Sequence, residues 1–420
     1  RYDGSSKFPK SSRFGFFPSV SAGWQIAQER FMNSTRHWLD GLKLRASYGV
    51  IGNQNINPYT FTPSMSVNNK ATSWIIDDTY VTSISSLPAL VSQNFTWEKV
   101  GTINVGLDVN LFNNRLSGVF EWYQRNTNGM LAPGVQLPAV VGASAPYQNT
   151  ADMRTRGWEL SLNWRDQIGK VGYRIGFNLS DYKSEIIKYD DNAATKLLSS
   201  YYPGQTLGEI WGYVVDGYYT VDDFVDTSSW QLKEGVTSIN GYNVRPGDVK
   251  FKNLRDDDTS TNVITSGDNT FDNPGDRKVI GNTTPRYQYG INLGMNYAGF
   301  DLNVILQGTG KRDYWISNVL TFPMNGDNFV PLFEGLSDYW MPKDPDNGDW
   351  SAVNPNAKYP RIYGNRGNSG SNLRQSDKYL SDASYLRIKN ITLSYKLPKK
   401  WVNQIFLNQM KAFVSIENVA

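Results

Sequence analysis

Hydrophobic and polar residues alternate along several long segments of this chain. In one of them Trp158, Leu160, Leu162 and Trp164 occupy every second position, and the residues between them are polar. Because successive side chains of a β-strand point to opposite faces, this pattern predicts strands with one apolar and one polar face. About ten such strands are predicted, at Arg13–Gln28, Leu42–Gly52, Phe95–Leu111, Arg115–Thr127, Met153–Arg165, Lys170–Lys183, Thr284–Tyr297, Phe300–Trp315, Leu380–Leu397 and Met410–Ala420. The predicted fold class is all-β.

The apolar faces carry aromatic rings at their ends and aliphatic side chains between them. Trp158 and Trp164 bracket two leucines, and they are separated by about 20 Å along a strand. Indole and phenol rings prefer the interface between a membrane and water, so the pattern is typical of strands that cross a membrane. The residues predicted to face lipid are Leu116, Phe120, Trp122, Trp158, Leu160, Leu162, Trp164, Ile175, Phe177, Leu179, Ile291, Leu293 and Met295.

The connections between the predicted strands alternate between short and long. Every odd-numbered connection is shorter than every even-numbered one, and the two longest are Ser184–Thr283 and Ile316–Tyr379. Outer-membrane barrels have short periplasmic turns and long extracellular loops. The sequence therefore predicts an antiparallel transmembrane β-barrel with long extracellular loops at residues 184–283 and 316–379. The short turns Asn113-Asn114 and Ala298-Gly299 contain residue types that suit tight hairpins.

Composition excludes several other classes of protein and of site. The 420 residues carry a formal net charge of +3 without a basic block, so a nucleic-acid partner is not expected. Cysteine is absent and His37 is the only histidine, which excludes disulfides, thiolate metal sites and histidine clusters. His37 lies in a short connection and is read as structural. The mean hydropathy of −0.49 fits a barrel, because only every second strand residue faces lipid.

Several short strings along the chain match a known family in their order. They are Phe17-Pro18-Ser19-Val20-Ser21-Ala22-Gly23-Trp24, Leu44-Arg45-Ala46-Ser47-Tyr48-Gly49, Gly52-Asn53-Gln54, Thr96-Trp97-Glu98-Lys99, Asn104-Val105-Gly106-Leu107-Asp108, Gly157-Trp158-Glu159-Leu160, Gly247-Asp248-Val249-Lys250-Phe251 and Tyr385-Leu386-Arg387-Ile388-Lys389-Asn390. With them the chain resembles the SusC/RagA-like TonB-dependent outer-membrane transporters of Bacteroidetes over nearly its whole length. The resemblance implies a 22-stranded barrel of which residues 1–420 form one part, with the plug, the early strands and the last strands outside this chain.

The resemblance also implies a function. Such a transporter imports a large polar nutrient, an oligosaccharide or an oligopeptide, across the outer membrane. A SusD-like lipoprotein acts as its lid, and TonB with ExbB and ExbD supplies energy through the plug. Two alternatives stay open: a passive porin or outer-membrane adhesin, and a secreted all-β carbohydrate-binding protein or glycosidase. No pattern in the chain requires catalysis, and no cofactor is expected.

The connection Ser184–Thr283 concentrates aromatic residues that are candidates for contact with cargo or with a partner. Aromatic rings stack on sugar faces and peptide groups, but they also pack a long loop against itself. The candidates are Tyr201, Tyr202, Trp211, Tyr213, Tyr218, Tyr219 and Trp230.

The same connection contains an acidic cluster at Asp256, Asp257 and Asp258. Calcium prefers several oxygen ligands at alternate positions, and the family often has an Asp-x-Asn-Gly-Asp-Gly stretch here. This chain lacks those glycines and that spacing. The cluster is a weak calcium candidate, and a solvated loop is the interpretation we favour.

Overall fold

The structure is a computed structural model that describes most of the chain. The residues outside the description are 66, 69–74, 77–78, 81–83, 86–87, 89, 94, 136, 193, 199–200, 256–261, 318–332, 364–369 and 420. Only the backbone is described at 67–68, 75–76, 79–80, 84–85 and 405. Within the described part, no helix has both the length and the apolar character needed to cross a membrane.

Ten antiparallel strands form one large sheet. In chain order they are β1 (Ser19–Gln25), β2 (Leu39–Asn53), β3 (Glu98–Leu111), β4 (Leu116–Pro133), β5 (Tyr147–Ile168), β6 (Val171–Tyr189), β7 (Arg286–Tyr297), β8 (Phe300–Lys311), β9 (Tyr385–Lys396) and β10 (Lys411–Val419). The order of strands in the sheet follows the order in the chain, and β1 and β10 lie at its two edges. The predicted all-β antiparallel fold class is confirmed, and the sheet is not closed.

Tight turns join β3 to β4 and β7 to β8, as the sequence predicts. Positive φ angles occur at Asn113 (58°) and Asn114 (58°), and at Ala298 (49°) and Gly299 (90°). Asparagine and glycine adopt this left-handed backbone conformation at low cost. The two strands of each hairpin are therefore paired from the turn onward.

The long connections contain short strands and helical turns of their own. The strand pairs are Tyr2–Gly4 with Phe14–Phe16, Val67–Asn68 with Ile84–Ser85, Ile75–Ile76 with Thr79–Tyr80, Glu209–Tyr213 with Arg277–Asn282, Val215–Tyr218 with Val249–Phe251, Ser238–Ile239 with Val263–Ile264, Asp313–Trp315 with Leu380–Asp382, and Pro342–Asp344 with Asp349–Ala352. The 3₁₀ turns are Lys10–Ser12, Ile26–Gln28, Arg30–Thr35, Ala139–Val141, Asp190–Asn192, Val221–Asp223, Glu334–Leu336, Pro345–Asn347, Asp377–Tyr379 and Asn403–Ile405, and one α-helical turn spans Lys399–Val402.

Some strands differ from their predicted bounds for identifiable reasons. The segment predicted as Arg13–Gln28 is interrupted before β1, because Pro18 has no N–H to donate to a neighbouring strand. β6 extends beyond its predicted end at Lys183 across a bulge: Asp152 pairs with Lys188 and Met153 with Ile186, so Ile187 of β6 has no partner on β5. Such a bulge disturbs the period-two pattern while the pairing continues.

The buried apolar clusters lie in the connections, outside the large sheet. The largest is formed by Tyr213, Tyr219, Phe224, Ile239, Val244, Val249, Phe251 and Ile264. A second contains Phe8, Phe17, Phe95 and Trp97. The Trp97 indole N–H donates to the Arg13 carbonyl at 3.0 Å. The long connections therefore have cores of their own, and the sheet presents two faces free of such cores.

Candidate functional site

The two longest connections, residues 190–285 and 312–384, are hydrogen bonded into one body, which we call the loop unit. The Tyr213 N–H donates to the Gln375 carbonyl at 2.9 Å. Other bonds between the two connections run from the Val215 N–H to the Asp377 carboxylate (2.9 Å) and from the Tyr218 hydroxyl to the Ala357 carbonyl (3.0 Å). These contacts join parts of the chain that are more than a hundred residues apart, so neither connection is an independent loop.

A buried carboxylate, Asp248, lies at the junction of the two connections. Its side chain accepts hydrogen bonds from the Tyr363 hydroxyl (2.7 Å), the Asn372 side-chain amide (2.9 Å) and the Arg245 N–H (2.7 Å). The side-chain oxygen Oδ1 of Asn372 in turn accepts from the Val249 N–H at 2.8 Å. Asp248 is 1% exposed, and burial raises its pKa while the hydrogen bonds lower it. The carboxylate therefore links both connections through a fully used set of acceptors.

The residue before this carboxylate must be glycine. Gly247 has a φ of 90°, and the indole of Trp340 lies directly against its Cα, where any Cβ would collide. The Gly247 carbonyl accepts from the Arg361 N–H at 2.9 Å, which adds a further link between the connections. The string from Gly247 to Phe251 is thus a structural joint of the loop unit.

Most of the seven aromatic candidates pack inside the loop unit. Tyr202 (1%), Trp211 (9%), Tyr213 (7%) and Tyr219 (0%) have almost no exposed surface. Such rings stabilise the loop unit by burying apolar area, and they can reach cargo only if the loop unit rearranges. For Tyr202, burial and the adjacent carboxylate raise the pKa of the phenol.

The other three candidates are accessible to different degrees. Tyr201 is 47% exposed. Tyr218 is half-buried beneath the Lys378 ammonium, which lies 4.6 Å from its ring centroid. Trp230 is half-buried against Trp350, with ring centroids 5.0 Å apart. These three rings form the accessible part of the predicted contact set.

The candidate calcium cluster at Asp256, Asp257 and Asp258 lies outside the described residues. Within the described ones, no group of three or more His, Cys, Asp or Glu side chains could hold a metal ion. The nearby Asp276 is fully buried and accepts hydrogen bonds from the Leu254 N–H (2.9 Å) and the Thr265 N–H (2.7 Å). Asp276 therefore fixes the backbone on both sides of the acidic stretch.

The polar face of the sheet carries an ion-pair network at its centre. Arg45 of β2 contacts Asp108 of β3 at 2.9 Å and Glu121 of β4 at 2.7 Å. Gly106 is directly opposite Arg45 in the register. A Cβ at Gly106 would lie 2.8 Å from the guanidinium carbon, so the glycine makes room for the arginine.

A second arginine is placed in the same way nearer the short turns. Arg174 of β6 contacts the Asp301 carboxylate and the Asn303 side chain, both at 3.3 Å, and it faces Gly294 in the register. It borders a concavity of about 340 Å³. The other polar side chains that line this concavity are Asn110, Asn114, Arg115, Ser117, Asn163, Arg165 and Asn292. The concavity therefore offers both amide groups and guanidinium groups.

All thirteen residues predicted to face lipid lie on one face of the sheet, opposite Arg45. Cross-strand neighbours within the set include Trp122 with Trp158, Phe120 with Leu160, Leu160 with Leu179, Leu162 with Phe177, Phe177 with Ile291, Leu116 with Trp164, Trp164 with Ile175, and Ile175 with Leu293. Met295 follows Leu293 on the same face of β7. None of the thirteen is buried.

Sequence reasoning did not find the joint of the loop unit. Asp248 was noted only as a member of a family-like string, and Asn372 was not noted. The available signal was the adjacent Gly247, because a glycine before an acidic residue is typical of a tight turn. For the Arg45 network, the sequence predicts only that each strand has one polar face.

Comparisons with known proteins agree with this architecture. Residues 1–419 match the family model described as TonB dependent receptor-like, beta-barrel. The TonB-dependent receptor P3 of Formosa agariphila is 28% identical over 437 residues, and the alignment covers 100% of this chain and 38% of that protein. The TonB-dependent receptor SusC of Bacteroides thetaiotaomicron is 27% identical over 417 residues, with 97% of this chain and 36% of that protein covered.

A solved structure of the RagAB peptide transporter has the same fold. It superposes with a TM-score of 0.73 at 23% identity, and the match covers 100% of this chain and 41% of that chain. At this identity the similarity extends to the fold alone. The chain spans between 36% and 41% of the length of these relatives.

Proposed function

Because this chain belongs to the family of TonB dependent receptor-like β-barrels, which lie in the bacterial outer membrane, we propose that it is part of an active importer. The cargo is a large polar nutrient, an oligosaccharide or an oligopeptide. TonB, with ExbB and ExbD, supplies the energy through a plug that is outside this chain. A SusD-like lipoprotein closes the barrel at the surface. In this proposal the chain contributes barrel wall and surface loops, and it catalyses no reaction.

One observation carries the proposal: over most of the large sheet, no layer of described residues covers either the apolar face or the polar face. The apolar face bears the thirteen residues from Leu116 to Met295, and the polar face bears the Arg45 network and the concavity beside Arg174. A barrel wall needs this arrangement, because one side contacts hydrocarbon and the other lines a wet lumen. A soluble sheet would bury its apolar face against a second layer.

The height of the apolar face supports contact with lipid. On β5 the apolar face begins at Trp158. Eight residues further along β5 is Asp166, which is in register with Tyr173 of β6 and Met295 of β7. The next row of β7 carries Tyr297, so the two aromatic levels are about ten residues, or roughly 33 Å, apart along a strand. A strand tilted by about 40° spans roughly 25 Å of height over that length, which is the height of the apolar band of such barrels.

The loop unit supports the assignment of residues 190–285 and 312–384 to the extracellular side. Both connections leave the same end of the sheet, and the connections at the opposite end are shorter, from the tight turn Ala298-Gly299 to residues 26–38 and 397–410. We propose that the accessible rings Tyr201, Tyr218 and Trp230 contact cargo or the lid. The buried rings Tyr202, Trp211, Tyr213 and Tyr219 stabilise the loop unit beneath that surface.

The polar face suits a cargo that is rich in hydrogen-bonding groups. Its asparagines offer amide donors and acceptors, and its arginines offer only donors. Such groups bind sugar hydroxyls and peptide carbonyls equally well. The RagAB relative is described as a peptide transporter, and SusC is named as a TonB-dependent receptor. Both classes of cargo therefore belong in the test.

Uptake by cells that carry the complete protein tests the proposal. Labelled oligosaccharides and oligopeptides are offered to cells with and without functional TonB, and with and without the lid lipoprotein. We expect accumulation of one cargo class that requires TonB and the lid. Uptake independent of TonB would indicate a passive porin, and recovery of the protein in the soluble fraction would indicate a secreted protein.

A further inference from the structure

Three cationic side chains lie on the apolar face of the sheet, between Trp122 and Trp158 and the end of the sheet that carries the long connections. On β5 the outward residues that precede Trp158 are Arg156 and Arg154, and on β6 the outward residue after Asp181 is Lys183. Arg156 and Lys183 are exposed, and Arg154 is half-buried. We call Arg154, Arg156 and Lys183 the cationic patch.

Two of these cations are direct neighbours without a counterion. Arg156 and Lys183 are paired across β5 and β6 in the register. Like charges directly opposite each other destabilise a sheet. No ion pair is formed by Arg154, Arg156 or Lys183 with any residue in the part of the chain that the structure describes. The patch therefore lacks the anion that this arrangement needs.

The nearest carboxylates do not supply that anion. Asp181 is held by Arg286, whose Nε and one Nη lie 2.5 Å from the two carboxylate oxygens. Glu185 is opposite Arg154 in the register, yet the two form no ion pair. The patch has three cations against this one carboxylate, so it keeps an excess of positive charge.

The two guanidinium groups are oriented by neutral side chains. The Nε of Arg156 donates to the Gln124 side-chain oxygen at 2.8 Å, and the Nε of Arg154 donates to the Asn126 side-chain oxygen at 3.3 Å. Each bond fixes one edge of a guanidinium and leaves the terminal Nη donors without a protein partner among the described residues. Donors arranged in this way suit a ligand with several strong acceptor oxygens.

We propose that the cationic patch binds the phosphate of a lipid headgroup in the leaflet on the long-loop side. This inference rests on the proposed contact of the apolar face with lipid. Phosphate takes bidentate hydrogen bonds from guanidinium groups and neutralises the opposed Arg156 and Lys183. Directly below, Trp122 and Trp158 lie at the level where a headgroup meets its acyl chains. The position favours a lipid phosphate over any solute in the lumen, because the patch is on the outer face.

Binding to the complete protein in a non-ionic detergent tests this site. The probes are an acylated disaccharide bisphosphate, its enzymatically dephosphorylated form, and inorganic phosphate, and the bound lipid is measured by native mass spectrometry. The test variant combines Arg156→Gln with Lys183→Gln. We expect it to bind the bisphosphate lipid at least about tenfold more weakly than the wild-type protein, since several hydrogen bonds to a charged group are lost.

A matched control is Arg125→Gln, which removes a cation at the same level from the polar face of β4. We expect this control variant to bind the bisphosphate lipid as tightly as the wild-type protein does. We also expect the wild-type protein to bind the dephosphorylated lipid weakly, with the same affinity that the test variant has for the bisphosphate lipid. Equal binding of both lipids, equal loss in the control, or competition by inorganic phosphate at the concentration of the lipid would overturn the proposal. These results leave the barrel intact, whereas a protein that stays soluble without detergent would defeat the proposed function itself.

Discussion

The Asp248 carboxylate accepts a hydrogen bond of 2.9 Å from the side-chain amide of Asn372, which lies 124 positions further along the chain. Both side chains are almost completely buried. The bond joins the two longest connections at a point where no strand pairing holds them together. The loop unit therefore adds buried polar side chains at this point to the backbone hydrogen bonds that join the two connections elsewhere.

Removal of this carboxylate should loosen the loop unit and spare the sheet. Asp248→Ala leaves the Asn372 amide and the Tyr363 hydroxyl without their acceptor, at a cost of about 1–3 kcal/mol for each buried group. We expect faster hydrogen exchange at Val249 and unchanged exchange in β4–β6. Asp222→Ala is the control, because Asp222 is an exposed carboxylate of the same connection. Equal exchange at Val249 in the wild-type protein and the Asp248 variant would contradict this role.

The stability of the loop unit should depend on pH through Asp248. Burial raises the pKa of this group in the folded state, so the folded loop unit binds the proton more tightly than the unfolded chain. Its contribution to stability is therefore complete below the pKa of the unfolded carboxyl and is lost as the pH rises through the folded value.

The pH effect is measured as a difference between two proteins, since other carboxylates of the loop unit act in the opposite direction. The pKa of Asp349, for example, is lowered by hydrogen bonds from Ser351. We follow thermal unfolding of the loop unit by tryptophan fluorescence. On acidification, we expect the unfolding temperature to rise more, or fall less, in the wild-type protein than in Asp248→Asn. Identical pH profiles for the two proteins would exclude this contribution.

A charge scan on β5 distinguishes the two faces of the sheet. Leu162→Arg should cost about 2–4 kcal/mol of unfolding free energy if the residue lies near the bilayer midplane. Asn163→Arg, on the opposite face of the same strand, should be tolerated because its side chain is exposed on the polar face. The measurement is denaturant unfolding in lipid vesicles. Equal and mild effects at both positions would argue against lipid contact.

Gly106 should be required for the ion pairs of Arg45. The Cβ introduced by Gly106→Ala would lie 2.8 Å from the guanidinium carbon. The guanidinium ends a flexible side chain, so it would move away from Asp108 and Glu121, and the loss of these part-exposed ion pairs costs about 1 kcal/mol or less. Gly101→Ala on the same strand is the control, because the nearest atom to its Cβ would be the Tyr48 hydroxyl at 3.7 Å. We expect a lower unfolding free energy in denaturant for the Gly106 variant alone. An equal loss of unfolding free energy in both variants would show that the cost comes from replacing a glycine in the strand and does not involve Arg45.

The parts of the fold that depend on local periodicity were predictable from the sequence. In β4–β6 the alternation of residues such as Trp158 and Leu160 with polar neighbours identified both the strands and their shared face. The tight turns were also predictable, because Asn113-Asn114 and Gly299 are residue types that tolerate a positive φ. Each of these signals lies within a few residues of the structure it specifies.

Features that depend on distant contacts were not predictable in this way. The partners of Asp248 come from a connection more than a hundred positions away, and nothing near Asp248 identifies them. The burial of Tyr202 and Tyr219 follows from how the connections pack, which composition does not specify. The bulge at Ile187 of β6 shifts the alternation on that strand, and no residue type near it marks the shift.

The pairing of arginine with glycine across the strands has a consequence for anything that slides along the polar face. Above Gly106 and Gly294 the guanidinium groups of Arg45 and Arg174 can lie flat against the backbone, held sideways by the carboxylates of neighbouring strands. At these two positions the positive charge lies close to the sheet. A polar solute that passes Arg45 or Arg174 would meet a guanidinium that its carboxylate partners hold in place, which favours brief contacts over tight capture.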